Sequence, residues 1–279
     1  MRLTGAARVA GVVGWPVKHS RSPRLHGFWL QKYQIDGAYV PLAVAPNNLA
    51  AALRALPALG LAGVNVTVPH KELALTAVDE VDPLARRIGA VNTVVVRPDG
   101  SLHGSNTDAF GFIESIRASA PGWAAAKAPA VIIGAGGAAR AVIVALLEEG
   151  VRTVRVANRT KERAVRLAEE FGVKAYDWGD WKSALDGAGL LVNTTTQGMA
   201  GQPALDIDLA SLPTGAVVND IVYVPLETPL LAAARQRGNP VVDGLGMLLH
   251  QARPGFRAWF GVDPEVTPEL RAHVAAGLG

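Results

Sequence analysis

Short valine-rich runs alternate with longer amphipathic ones through the first third of the chain. The runs at 9–14, 38–44, 63–68 and 91–97 have the β-branched content of strands. Those at 22–32, 47–56 and 71–79 have helical spacing. Such alternation predicts an α/β layer with parallel strands. Pro98-Asp99-Gly100 reads as a turn, leading by a hairpin into a strand at 101–104. A helix over 108–119 ends at Ala120-Pro121-Gly122, and a second α/β block follows Pro129. That block predicts strands at 130–133, 151–157, 173–176, 190–193, 216–220 and 241–243, with helices at 137–149 and 160–171. The tail from 245 is mostly helical, with breaks expected at Pro254-Gly255 and Pro264.

The pattern therefore predicts an α/β protein built of two successive α/β blocks. Composition adds exclusions. Of 279 residues 49% are hydrophobic and 18% charged, which is the balance of a folded domain. A net charge of +3 without a Lys/Arg run gives no footprint for nucleic acid. With no cysteine, disulfides and thiolate metal sites are excluded. The six histidines are scattered, so no metal is expected. The N-terminal apolar run carries glycines and stops at Pro16, so it reads as a first strand and not a leader. A cytoplasmic protein without membrane contact, monomeric or homodimeric, is expected.

The clearest chemical motif follows the strand at 130–133. Gly134-Ala135-Gly136-Gly137-Ala138-Ala139 lies between that strand and a helix. Gly134 permits a tight turn, Gly136 lets the backbone approach a pyrophosphate, and Ala139 lets the helix pack on the strand. The helix N-terminus offers free N–H groups to phosphates. At the end of the next strand an NAD enzyme carries an acid; here stand Asn158, Arg159, Thr160 and, one turn on, Arg163. Arginine suits a 2′-phosphate, so NADP is the expected cofactor. Thr160 is also a natural helix N-cap and Arg163 a natural surface residue.

Three features of the first domain are less decisive. Ser20 and Ser22 open a helix, where they serve either a carboxylate or ordinary capping. In Asn65-Val66-Thr67-Val68-Pro69-His70-Lys71, Val64, Val66 and Val68 are expected on one face and Asn65 and Thr67 on the other. Lys71 is expected in the first turn of a helix, against its dipole, either as a proton-transfer group or as a plain surface lysine.

In order along the chain these motifs resemble the shikimate dehydrogenase family. The resemblance spans essentially the full length and implies two domains, an N-terminal α/β substrate domain over 1–107, completed by C-terminal helices over 245–279, and a Rossmann-type, doubly wound dinucleotide-binding domain over 108–244. It rests on His19-Ser20-Arg21-Ser22-Pro23, the 65–71 segment, Gly89-Ala90-Val91-Asn92-Thr93, Asn106-Thr107-Asp108-Ala109-Phe110-Gly111, the glycine loop, Asn158-Arg159-Thr160, Asp220-Ile221-Val222-Tyr223 and the segment from Asp243 to Ala252. It implies NADPH-dependent reduction of 3-dehydroshikimate to shikimate, a small-molecule substrate, with Lys71 as acid/base and Asp108 as its partner. It implies that Ser20, Ser22 and Tyr223 take the substrate carboxylate, and Thr67, Asn92, Asp108 and Gln251 its ring oxygens. Gly134, Ala135, Gly136, Gly137 and Ala138 would hold the pyrophosphate. Asn158, Arg159, Thr160 and Arg163 would hold the 2′-phosphate end, with Ile221, Gly244 and Met247 near the nicotinamide. Alternatives are an NAD-dependent quinate/shikimate dehydrogenase and a non-catalytic NADP(H)-binding regulator on the same fold.

Overall fold

The computed structural model describes residues 3–278, so the outermost residues of the two expected domains lie outside it. The chain divides into two compact units, 1–107 with Gln251–Ala275, and Asp108–His250 with the last residues from Ala276.

The first unit holds strands β1 (Arg8–Gly14), β2 (Gly37–Ala43), β3 (Leu61–Val66), β4 (Glu80–Val81), β5 (Thr93–Val96) and β6 (Leu102–Ser105). Its first helices are α1 (Ser22–Lys32), α2 (Leu49–Ala55), α3 (Ala74–Ala77) and α4 (Pro83–Ile88). The sheet order is β2-β1-β3-β5-β6-β4. It is mixed, which corrects the expectation of parallel strands: β1 runs parallel to β2 and β3, but β5 is antiparallel to both β3 and β6. The cause is the turn at Pro98-Asp99-Gly100. Asp99 accepts from the Ser101 N–H and hydroxyl at 2.9 and 2.7 Å, folding β5 back on β6 as a hairpin.

One helix expectation in this unit is corrected and one helix is added. The helix expected at 71–79 shrinks to α3, leaving Lys71 in a turn and removing the dipole argument. The Lys71 carbonyl accepts from the Val91 N–H at 2.8 Å, so it is drawn sideways to another segment. The unexpected α4 is capped by Asp82, whose Oδ1 accepts from Leu84 N at 2.8 Å.

The second unit holds α5 (Asp108–Ser119), β7 (Ala130–Ile133), α6 (Gly137–Glu148), β8 (Val154–Asn158), α7 (Lys161–Phe171), β9 (Lys174–Asp177) and α8 (Trp181–Leu185). It continues through β10 (Leu190–Asn193), β11 (Val217–Asp220), α9 (Pro229–Gln236) and β12 (Val241–Val242). All its strand pairs are parallel, in the order β12-β11-β10-β7-β8-β9. The first strand is central, two follow on one side and three on the other. This is the doubly wound order, and its switch point lies between β7 and β10. Val131, Ile133, Leu191 and Val218 are buried in its core, as parallel strands covered on both faces require.

Helix α10 (Gly244–Phe260) runs straight through Pro254, where a break was expected. Phe256 and Trp259, just past the proline, are fully buried. Burying two large aromatic side chains outweighs a helix-interior proline, which costs about 3 kcal/mol. A final helix, α11 (Pro268–Ala275), packs on α1.

The aromatic cluster in the first unit also holds His26, which is fully buried. Burial lowers its pKa from 6.5 to about 3, a shift that the nearby Asn65 amide offsets only in part. A base with a depressed folded-state pKa gives stability that is complete above 6.5 and is lost as pH falls toward 3. From pH 7 to pH 4 the wild type is expected to lose about 3 kcal/mol more than His26→Phe. Urea unfolding at both pH values checks this; parallel losses would contradict it.

Among the described residues no helix is long and apolar enough to cross a membrane. No cluster of three or more His, Asp or Glu able to hold a metal occurs there either.

Candidate active site

In the first unit the polar side chains near the ends of β3 and β5 form one connected cluster. Strand β3 ends at Val66, so Val68 does not continue the buried face as expected and is 69% exposed. Asn65, the polar residue inside that strand, is 5% exposed. Its Nδ2 donates to Asn92 O and Thr93 Oγ1 at 3.2 and 3.1 Å, and its Oδ1 accepts from the Tyr39 hydroxyl at 2.6 Å. Asn92 lies before β5, where a strand was expected. Its Oδ1 accepts from Thr107 N at 2.8 Å and Thr93 Oγ1 at 2.9 Å. Its Nδ2 donates to Gln251 Oε1 at 3.4 Å, which also accepts from Thr107 Oγ1 at 3.4 Å. Asn92 and Gln251, far apart in sequence, are thus brought together. Tyr39, Asn65, Thr93 and Thr107 complete a buried network that sequence reading did not assemble, because an aromatic residue in a strand reads as core.

Thr67 follows β3 and is half-buried. A Cβ at Gly14 would stand 2.6 Å from the Thr67 Cγ2, so the bare Gly14 backbone gives Thr67 its place. The turn carrying Lys71 is pinned by Trp15 N donating to Val68 O (3.2 Å) and by the His70 ring, whose Nε2 donates to Val44 O at 2.8 Å. Ser20 Oγ accepts from Ser22 N at 3.3 Å, while Ser22, at the first position of α1, makes no capping bond. Its hydroxyl is buried beside Tyr39. The capping reading of Ser22 therefore does not hold. Asp108 opens α5 and Tyr223 follows β11; both belong to the second unit.

In the second unit the loops after β7 and β10 meet at the topological switch point. A Cβ at Gly134 would lie 2.7 Å from Thr194 Oγ1 and 2.9 Å from Thr195 Cγ2, and its φ is +109°. The protein itself thus demands glycine at 134. At Gly136 and Gly137 an added Cβ would meet nothing within 4 Å. Those positions are bare toward open space at the start of α6, which fits a phosphate drawn against backbone N–H groups. Ala135 and Ala138 flank them, half-buried, and Ala139 is fully buried under the helix.

Asn158 ends β8, its Nδ2 donating to Thr160 O at 2.8 Å. Arg159, Thr160 and Arg163 are exposed around the start of α7. Thr160 occupies the N-cap position without a side-chain capping bond, so the expected cap is absent. The backbone of Gly244 abuts that of Ile221, where an added Cβ would come within 2.2 Å of Ile221 O. Met247 is half-buried in the first turn of α10. Asp220 is fully buried and holds this loop, accepting from Val222 N (3.0 Å), Thr228 Oγ1 (2.7 Å) and Asn193 Nδ2 (3.0 Å). Burial pushes its carboxyl above the usual range, partly offset by those three donors. Asn193, Thr194 and Thr195 were not singled out in the sequence; the strand order, which sets β10 beside β7, is the signal that locates them.

Three family descriptions match the chain: a shikimate dehydrogenase substrate-binding domain over residues 12–94, shikimate/quinate 5-dehydrogenase over 118–200, and a shikimate 5′-dehydrogenase C-terminal domain over 244–268. The chain is 63% identical to the shikimate dehydrogenase (NADP(+)) of Paramagnetospirillum magneticum, over 98% of this chain and 99% of that protein. It is similar to the crystal structure of shikimate 5-dehydrogenase from Thermus thermophilus in complex with NADP(H) and shikimate, with TM-score 0.87, 40% identity and coverage of 97% and 99%. A quinate dehydrogenase from Corynebacterium glutamicum in complex with NAD has TM-score 0.89 at 32% identity, with coverage of 97% and 99%.

Proposed function

This chain belongs to the shikimate dehydrogenase family, and on that premise we propose how its residues carry out the NADPH-dependent reduction of 3-dehydroshikimate to shikimate. The observation that carries the cofactor assignment is the open space beside Gly136 and Gly137, together with exposed Arg159 and Arg163 after a β8 that ends in asparagine and not an acid. Gly134–Ala138 hold the pyrophosphate. Asn158, Arg159, Thr160 and Arg163 hold the 2′-phosphate. Ile221, Gly244 and Met247 shape the nicotinamide end. The substrate half is 1–107 with the C-terminal helices, and the cofactor half is 108–244.

The bound cofactor supplies hydride to the ketone carbon. As that carbon is reduced, charge grows on its oxygen. The Lys71 ammonium stabilises the charge and donates the proton; in the reverse direction the neutral amine accepts it. Asp108 accepts from a ring hydroxyl. Ser20 and Ser22, with Tyr223, donate to the substrate carboxylate. Thr67, Asn92 and Gln251 bond the ring oxygens, and the buried network around Asn65 keeps Asn92 and Gln251 in place. The NAD-dependent quinate reading is disfavoured by the absent acid at 158. The regulator reading is disfavoured because Lys71 and Asp108 are both retained.

Arg159→Ala tests the cofactor half. It is expected to weaken NADPH binding by about 1.5–3 kcal/mol, the worth of a hydrogen bond to a charged group, with little change for NADH. Fluorescence titration with both nucleotides measures it, and equal loss for the two would contradict the 2′-phosphate assignment.

A further inference from the structure

The chemistry above leaves His26 unused, although it lies against the polar cluster. It stands one turn after Ser22 on α1, so the two side chains share a helix face. Its ring is fully buried and neither nitrogen has a well-formed hydrogen bond. Buried in this way, an imidazole forgoes the hydrogen bonds water would give it, and it serves neither as acid, base nor ligand. What it offers is a flat face. That face lies on Tyr39, with ring centroids 3.9 Å apart and planes 5° apart. On its other sides Trp29 meets it edge-on at 5.7 Å, and Phe256 and Trp259 stand at 5.8 and 5.9 Å.

The Tyr39 hydroxyl is the junction of two halves of the substrate site. It donates to Asn65 Oδ1 at 2.6 Å, and the buried Ser22 hydroxyl lies beside the same phenol. Asn65 leads on to Asn92, Thr93, Thr107 and Gln251. A small rotation of the Tyr39 side chain is magnified at the hydroxyl, the atom farthest from the backbone. Whatever fixes the ring therefore fixes the link between Ser22 and the cluster.

We propose that His26 is a positioning residue for substrate binding, its flat face clamping the Tyr39 ring so that the hydroxyl stays on Asn65 and beside Ser22. By this means it sets the spacing between the serines that take the carboxylate and the groups that take the ring oxygens. The inference rests on the site assignment given under Proposed function.

A double-mutant cycle on the KM for shikimate tests it. His26→Leu keeps apolar bulk and removes the flat face; Tyr39→Phe keeps the ring and removes the hydroxyl. Each is expected to raise the KM for shikimate by about 3- to 10-fold, the worth of one net hydrogen bond, with kcat and the KM for NADP⁺ little changed. The double variant is expected to be no worse than Tyr39→Phe, because without the hydroxyl the ring's orientation no longer matters. His26→Phe restores a flat face and recovers most of the KM. Additive effects, or a lower Tm for His26→Leu with an unchanged KM, would overturn the inference and leave His26 as core filling. Should His26→Leu not fold, His26→Met takes its place in the same cycle. Ser22→Ala separates this inference from its premise. An unchanged KM in that variant removes the site assignment itself, whereas a raised KM beside an additive cycle removes only the role of His26.

Discussion

Lys71→Ala is expected to lower kcat by about 10²–10⁴-fold, the range for loss of a general acid/base, while leaving the binding of NADP⁺ nearly unchanged. The effect is chemical because the turn that carries Lys71 is held by backbone groups and by the His70 ring. Its backbone carbonyl is held by Val91 N at 2.8 Å, the preceding His70 ring by Val44 O at 2.8 Å, and the His70 carbonyl by Ala74 N at 2.9 Å. Removing the ammonium leaves those bonds in place. Lys71→Arg restores a cation but not the activity, since a guanidinium does not give up its proton in the reaction. Steady-state kinetics and thermal unfolding on the same preparations measure the split. A kcat near the wild-type value would remove Lys71 from the chemistry; a fall in kcat matched by lost folding would assign it a structural role.

Gly63→Ala is expected to be the most damaging single methyl group in the first unit. Gly63 follows an irregularity in register, where Val9 pairs with Leu61 but Ala10 pairs with Gly63. The skipped residue leaves Gly63 at φ +150°, which side chains rarely adopt. The space is also taken. An added Cβ would stand 2.1 Å from Val94 O and 2.3 Å from Trp259 Nε1. Those two atoms are themselves a hydrogen bond, the indole donating to the carbonyl at 3.1 Å, and Trp259 is fully buried. Backbone strain, overpacking and a broken buried bond act together, so the loss is expected to exceed about 4 kcal/mol. In a domain of this size that lowers the Tm by about 8 °C or more. A Tm within a degree or two of the wild type would show that the Trp259 contact yields freely.

How much of this was legible in the sequence varied with the range of the interactions. Helices α1 and α5 have the expected bounds because local signals set them: Pro23 at the start of one, Asp108 at the start of the other. The glycine loop was legible because strand, turn and helix follow one another within a few residues. The helix expected at 71–79 was not, because the Lys71 carbonyl is claimed by Val91, a partner twenty positions on. The helix through Pro254 was misread for a similar reason: buried Phe256 and Trp259 override a local breaker. Within the site, the roles of Asn92 and Gln251 were reached only through the family resemblance, and their meeting at 3.4 Å was not legible at all. Tyr39 carried no signal, since a tyrosine in a strand is ordinary core until its hydroxyl is seen to face Asn65.

The most direct test of the account is a spectrophotometric comparison of shikimate and quinate, each with NADP⁺ and with NAD⁺. The account predicts the highest kcat/KM for shikimate with NADP⁺, with NADP⁺ preferred over NAD⁺ by at least about tenfold, the least that one hydrogen bond to a charged 2′-phosphate supplies. A preference for quinate with NAD⁺ would contradict it.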